Sequence, residues 1–339
     1  MVRVEAEMFV EGEEKNPIID VRSPAEFLKG HIPGAVNIPI FDNLERAKVG
    51  TVYKQQSRDE AIAMGLEIVG PKMKSFTEQA KKIAVNGELN VYCWRGGMRS
   101  EKMAWLFELV GIKTNVLQNG YKAYRNYLHK SFQKMKHLIV VQAPTGSGKT
   151  KILHALSKAG EQVIDLEGLA NHKGSAFGGL GEKEQPTTQQ FQNDILAAML
   201  AFDLEKPIWI ESESVTIGKV YLPEELWKKM NEATVMALEM PRSFRIEHIV
   251  EQYGKFSVEE LSSKISQLEQ NMGGANVKTA IELVEKGDLH AAVDILLNYY
   301  DKFYAHSASK YKINKPVLVS LSSVEPAENA RVLINLSST

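Results

Sequence analysis

The stretch His137–Thr150, HLIVVQAPTGSGKT, constrains the fold of this chain more than any other. An apolar run, Leu138–Val141, leads into Ala143-Pro144-Thr145-Gly146-Ser147-Gly148-Lys149-Thr150. Ile152, Leu153 and Leu156 then recur at helical spacing. Strand, glycine loop and helix in that order imply a parallel α/β sheet with the loop at the carboxyl end of a strand. Backbone amides and the helix N-terminus of such a loop cradle a diphosphate. Gly146, Ser147, Gly148, Lys149 and Thr150 are the residues assigned to it. Lys149 reaches the outer phosphate, and Thr150 is placed to touch a bound Mg²⁺. Ala143 stands where the strict motif has glycine. The plain alternative is a glycine-rich turn with no phosphate.

The rest of the chain has to accommodate that unit. Its 339 residues are 44% apolar and 24% charged, which excludes a disordered or collagen-like chain. Two domains are the natural division at this length. Lys and Arg total 41 against 42 Asp and Glu, so any nucleic-acid surface must be local. Cys93 is the one cysteine. It forms no internal disulfide and no paired-cysteine metal site, which fits a reducing compartment. The acidic N-terminus does not read as a secretory signal, and no apolar run approaches a membrane span. A cytoplasmic protein with no membrane partner is expected. No signal bears on oligomeric state.

Before the glycine loop, short apolar strands alternate with helices. Strands are expected at Pro17–Val21, at the end of His31–Ile40, at Asn90–Trp94 and within Thr114–Gly120. Ser23-Pro24-Ala25-Glu26 opens a helix with Ser23 as N-cap. Ser100 is expected to cap a second, with Met103, Leu106, Phe107 and Val110 inward. After the loop, strands are expected at Gln162–Glu167, Pro207–Ser212, Thr234–Met240 and Pro316–Ser322. Phe256–Tyr304 reads as largely helical. The expected domains are 1–125 and 137–339, joined by a basic linker helix over 126–136.

Cys93 is followed by Trp94-Arg95-Gly96-Gly97-Met98-Arg99. Two glycines let successive N–H groups turn into one concavity, and such a nest binds anions. A following helix N-terminus and two arginines favour thiolate over thiol. Such a cysteine suits attack on, or carriage of, a chalcogen or phosphorus centre with anionic oxygens. The plain alternative is a buried core cysteine. Cys93 to Arg99 is also C-x5-R, the spacing of cysteine phosphatases.

Residues 109–160 hold nine Lys or Arg and no Asp or Glu. Lys122, Arg125, Lys130, Lys134 and Lys136 are interleaved with Tyr121, Tyr124, Tyr127 and Phe132. A strip of this kind can neutralise phosphates and stack bases. The alternative is a solvated helix face with its aromatics turned inward. Acidic or metal-binding candidates near the glycine loop are Glu211, Glu213 and Asp165, with Glu167 as a rival. The metal ligands stay open. Arg242 and Arg245 are candidates to reach phosphates.

Asp20-Val21-Arg22, Glu26-Phe27, Gly30-His31-Ile32-Pro33-Gly34-Ala35 and Asn37-Ile38-Pro39, together with the Cys93 loop, resemble the rhodanese family over about the first 125 residues. That resemblance implies a doubly wound parallel sheet and a persulfide- or perselenide-carrying Cys93. Asp20, Arg22 and His31 are read as architecture. CWRGGMRS, NGYKAYR, TGSGKT, Asp165–Ala170, Gly174–Gly178, Glu211–Gly218 and Leu296–Tyr304 together resemble the tRNA 2-selenouridine synthase family over nearly the full length. Lys173, Asn119 and Ala143 depart from its pattern.

The expected fold class is therefore a rhodanese-like α/β sheet followed by a P-loop α/β domain with a helical C-terminal region. The resemblance implies a transferase acting on tRNA with a wobble 2-thiouridine. Such an enzyme transfers a geranyl group from geranyl diphosphate to the sulfur. It then replaces the S-geranyl group with selenium from selenophosphate, the two compounds being co-substrates. The Cys93 loop would take the selenophosphate, and the P-loop a geranyl diphosphate, a nucleotide or a tRNA phosphate. The apolar positions of Ile281–Tyr304 either shelter the geranyl tail or form core. The other reading is a rhodanese-type sulfurtransferase or cysteine phosphatase coupled to a P-loop ATPase.

Overall fold

The structure is a computed structural model, and it describes residues 1–12, 15–308 and 316–337. The chain divides into two compact units. One is Met1–Ser131 with Thr187–Leu200, and the other is Phe132–Pro186 with Ala201–Thr339.

The first unit carries five strands: β1 (Val2–Val4), β2 (Ile18–Asp20), β3 (Val36–Asn37), β4 (Glu88–Tyr92) and β5 (Lys113–Leu117). They pair in the order β1-β5-β4-β2-β3, all parallel. Ile19 lies opposite Val91, and Val91 opposite Val116. These apolar strands are covered on both faces, as a parallel sheet requires, and Ile19, Val91, Met103 and Phe107 are fully buried in the core. Ser23 caps helix Pro24–Lys29 in a reciprocal capping box with Glu26, as the sequence implies.

Two expected boundaries shift here. β4 ends at Tyr92 rather than Trp94, because the Cys93 and Trp94 carbonyls leave the ladder to accept from the Tyr121 and Lys122 amides (2.8 and 3.1 Å). The next helix begins at Met98 with Gly97 as its N-cap, so Ser100 lies inside the first turn and does not cap it.

The second unit carries β6 (Leu138–Gln142), β7 (Gln162–Ile164), β8 (Ile208–Glu211), β11 (Thr234–Glu239) and β12 (Val317–Ser320), with a small antiparallel pair, β9 (Thr216–Ile217) and β10 (Val220–Tyr221). The large sheet is parallel, in the order β12-β11-β6-β8-β7. β6 is therefore central and wholly buried, and the glycine loop leaves its carboxyl end between two neighbours. β7 stops at Ile164 because the Asp165 carboxylate accepts the Gly168 N–H (2.7 Å) and caps helix Leu166–Ala170. Helices Val258–Ser266, Gly274–Glu285 and Leu289–Ala308 form the expected helical region around Leu261, Ile265, Ala280 and Val284.

The division of the chain differs from the expected one in two respects. Helix Gly120–Ser131 is part of the first unit, because Tyr121, Tyr124 and Leu128 are buried there. Residues 126–131 are thus no linker. Helix Thr188–Met199, placed by sequence in the second domain, packs on that same helix. Arg125 donates to Gln189 O (3.3 Å), Asn193 Oδ1 (2.7 Å) and Gln192 Oε1. Asn193 Nδ2 donates to the Tyr121 hydroxyl (2.7 Å) and to His31 O (2.8 Å). Among the described residues, no helix is long and apolar enough to cross a membrane.

Candidate functional site

Cys93 sits where β4 ends, and its side chain is buried. Gly96 (φ +61°) and Gly120 (φ +59°) meet backbone to backbone beside it. A Cβ on Gly96 would lie 2.5 Å from Leu117 O, and one on Gly120 would collide with Cys93 O. Only glycine fits either position, which ties the Cys93 loop to the NGYKAYR segment. The amide N–H groups of Trp94, Arg95, Gly96, Gly97 and Met98 have no acceptor among the described residues. Five donors without acceptors over consecutive residues meet the backbone condition for an anion nest.

The side chains of that loop do not all join the nest. Trp94, Arg95 and Met98 are exposed. Arg99 is paired with Glu26 (Nη1 to Oε2 2.8 Å, Nη2 to Oε1 3.3 Å). Burial alone would raise the Glu26 carboxyl, but Arg99 outweighs it and holds the pKa below the ordinary carboxylate range. The phosphatase reading uses this arginine for an anion, and here Glu26 already occupies it. Sequence reasoning also missed Ser100. Its fully buried hydroxyl lies 3.2 Å from Cys93 Sγ and 3.1 Å from Gly97 O. The C-x5-R-S spacing was the available signal, since the loop brings the helix's first turn, and Ser100 in it, back beside the strand end.

Asp20 and Arg22 are architecture. Both are buried, joined Nη2 to Oδ2 at 2.6 Å, and Arg22 also donates to Gly30 O (2.7 Å). The Arg22 guanidinium lies 4.0 Å from the Tyr121 ring centroid. His31 stacks on Phe27 (3.7 Å) within the same loop structure.

In the second unit the glycine loop has its expected form. Gly146 (φ +84°) and Gly148 (φ +70°) make the turn, and Lys149 opens helix Lys149–Lys158. The N–H groups of Gly146, Gly148, Lys149 and Thr150 have no acceptor among the described residues, the condition for a phosphate cradle. Ser147 Oγ is buried without a partner.

Lys149 Nζ lies 2.6 Å from Glu213 Oε1, 3.1 Å from Ser212 O and 3.9 Å from Glu167 Oε1. Burial works against the ammonium, but Glu213, Glu167 and Glu211 outweigh it and hold the Lys149 pKa above its ordinary value. Thr150 donates to Glu167 Oε2 (2.7 Å), and Glu211 Oε1 accepts the Glu167 N–H (2.5 Å). Burial pushes the Glu167 carboxyl up to about 7, with Lys149 opposing it, and pushes Glu211 well above its ordinary range. A Cβ on Gly174 would lie 2.5 Å from Glu213 Oε2, which gives the Gly174–Gly178 segment a physical reason.

The acidic candidates thus take different places. Glu213 faces Lys149, Glu211 fixes a backbone amide, and Asp165 caps a helix while its other oxygen meets His154 Nε2 (2.8 Å). Glu167, the rival, is the carboxylate on Thr150. No group of three or more His, Cys, Asp or Glu among the described residues is arranged to hold a metal ion. Arg242 pairs with Asp294 and Asp301, and Arg245 with Asp301 while donating to Thr145 O (2.8 Å). Arg245 braces the loop, whereas Arg242 is held on helix Leu289–Ala308 by Asp294, Asn298 and Asp301. His248, missed by sequence, has Nδ1 3.0 Å from Gly146 O, and burial lowers its pKa.

The glycine loop opens into a cavity of about 890 Å³. Lys149, Thr150 and Glu213 line one part of it; Leu261, Ile265, Val284, Leu289, Leu296 and Tyr300 line another. Of the basic strip, Lys122, Lys130, Lys134 and Lys136 are exposed, while Arg125 is engaged as described. Lys136 Nζ pairs with Glu205 (2.6 Å). Tyr121, Tyr124, Tyr127 and Phe132 are buried, so they stack no bases.

A family model described as the tRNA 2-selenouridine synthase AAA domain matches residues 136–287, and a rhodanese-like domain model matches residues 5–127. Three relatives carry the name tRNA 2-selenouridine synthase. The one from Nitrosomonas europaea is 38% identical over 70% of this chain and 63% of its own length. That from Bdellovibrio bacteriovorus is 40% identical over 70% and 64%. These two matches span less than two thirds of the relatives' length. The relative from Shewanella sediminis is 31% identical over 87% of this chain and 88% of its own. With the Cys93 loop and the Lys149 glycine loop at the ends of strands in two parallel sheets, and with these matches, the chain belongs to the tRNA 2-selenouridine synthase family.

Proposed function

We infer that this chain modifies tRNA carrying a wobble 2-thiouridine, first moving a geranyl group from geranyl diphosphate to the sulfur and then exchanging S-geranyl for selenium from selenophosphate. The observation that carries this reading is one cavity holding both a phosphate cradle and an apolar wall. A prenyl diphosphate has that division of polarity. An apolar wall beside the cradle suits a hydrocarbon chain better than a polar ribose.

In the first step the uridine sulfur attacks C1 of the geranyl group, the C–O bond breaks, and the electron pair leaves on the diphosphate. Lys149 and the free N–H groups of Gly146, Gly148 and Thr150 would stabilise that developing negative charge. Alkylation turns a poor sulfur leaving group into a better one. In the second step the selenium of selenophosphate adds at C2, geranylthiolate departs, and water then cleaves the Se–P bond to release phosphate. The free N–H groups around Cys93 support binding of the selenophosphate anion, with Cys93 beside it. Lys122, Lys130, Lys134 and Lys136 are the candidate phosphate contacts for tRNA. Magnesium would accompany the diphosphate, with Thr150 as the loop hydroxyl nearest to it. The working compartment is the cytoplasm.

Nucleoside mass spectrometry on 2-thiouridine tRNA, omitting geranyl diphosphate or selenophosphate in turn, tests this reading. A geranylated product without selenophosphate and a selenouridine product with both are expected. Cys93→Ala should lose the selenium step alone. An unmodified nucleoside in every tube overturns the reading.

A further inference from the structure

Helix Met98–Glu108 buries Met103, Ala104, Leu106 and Phe107 and leaves Met98, Lys102 and Trp105 exposed on one stripe. Trp105 is 50% exposed and Met98 42%, whereas residues of this size normally lie inside. The stripe starts at the Cys93 loop, where Trp94 is also exposed. The Trp94 indole is not loose. It packs on Tyr121 (ring centroids 5.8 Å apart), which itself stacks with Tyr92 and Tyr124 (6.1 and 5.8 Å). A buried row of three tyrosines therefore holds one open indole beside the sulfur.

The charge around these rings has one sign. Arg95 and Lys102 are exposed and make no ion pair among the described residues. Lys122 is exposed too, and its amide donates to Trp94 O (3.1 Å), so the two residues lie side by side along the backbone. The neighbouring carboxylate Glu101 is taken by Arg3. Rigid aromatic rings interleaved with unpaired cations bind single-stranded nucleic acid: the rings stack bases and the cations meet phosphates. A second copy of this chain or an apolar peptide would have no need of three cations.

We propose that Trp94, Arg95, Met98, Lys102 and Trp105 form a landing surface for unpaired RNA, on which Trp94 stacks the nucleobase delivered to Cys93. This rests on the tRNA reading above and adds the residues that select an unpaired base. Cys93 is only 3% exposed, so a base must be brought to the loop.

The test uses the full chain and a fluorescein-labelled anticodon stem-loop RNA containing 2-thiouridine, with a fully paired duplex of equal length beside it. Wild type should bind the stem-loop more tightly than the duplex. Trp94→Ala should weaken stem-loop binding about tenfold without changing its salt dependence, and Trp94→Phe should restore most of it. Joint Arg95→Ala and Lys102→Ala should instead flatten the salt dependence by about one to two contacts. Near-ultraviolet circular dichroism checks that each variant is folded. Equal binding by folded Trp94→Ala and wild type overturns the proposal and leaves the function standing. So does a change in sedimentation coefficient, rather than in RNA binding, on Trp105→Ala, which marks a self-association surface. Absence of any RNA binding by wild type overturns the function itself.

Discussion

The Ser100 hydroxyl lies 3.2 Å from Cys93 Sγ, with both side chains buried. Its single proton goes either to the sulfur or to Gly97 O at 3.1 Å. Directed at the sulfur, it holds Sγ in one position for attack. Ser100→Ala should then slow alkylation of Cys93 by iodoacetamide at neutral pH by roughly three- to tenfold, while Ser100→Thr keeps most of the rate. An unchanged rate in folded Ser100→Ala would assign the proton to Gly97.

Lys149 neutralises buried carboxylates as well as facing the cavity. Removing it leaves Glu213 and Glu167 without their cation, which costs about 3–5 kcal/mol in a buried pair. Lys149→Ala should therefore lower the unfolding midpoint and also abolish binding of inorganic pyrophosphate. Adding Glu213→Gln should recover much of the midpoint and none of the binding. Recovery of both by the double variant would show that Lys149 does not contact the phosphate.

Glu167 predicts a pH dependence. Its folded pKa is raised to about 7 from an ordinary 4.5, first by burial. The unfolded carboxyl ionises first, so the stability it contributes is present below pH 4.5 and is lost as pH rises through 7. Glu167→Gln keeps the neutral shape. Its thermal midpoint should match wild type at pH 5 and exceed it at pH 8. A constant difference between variant and wild type across that range would contradict the assignment.

Leu296 lines the cavity and is nine-tenths buried. Leu296→Asn, and likewise a polar change at Tyr300, should raise KM for geranyl diphosphate at least tenfold while moving the thermal midpoint by only a few degrees. If activity and midpoint fall together, these positions are core and the hydrocarbon lies elsewhere.

What the sequence showed is what lies within one strand, loop and helix. Gly146, Gly148 and Lys149 fall within a few residues of one another and fold into a cradle whose parts are local. Ser23 and Glu26 are legible for the same reason. Arg99 is not, because Glu26, which takes its charge, is 73 positions away. The acidic group on Thr150 is Glu167 rather than the residues after β8, a choice made by β7 and β8 lying side by side. Tyr121 and Tyr124 alternate with cations in sequence, yet helical spacing turns the rings inward and the charges outward.

Helix Thr188–Met199 has a consequence for how the molecule is made. The ribosome releases the β6 strand, the glycine loop and helix Lys149–Lys158 before this helix. The partners of Tyr121, Arg125 and the His31 carbonyl arrive more than 50 residues after the first unit's own sheet is complete. Those groups wait, solvated, until residue 193 emerges. Cutting the gene after residue 131 would leave them without those partners, so a first unit made that way must satisfy Tyr121, Arg125 and the His31 carbonyl with water.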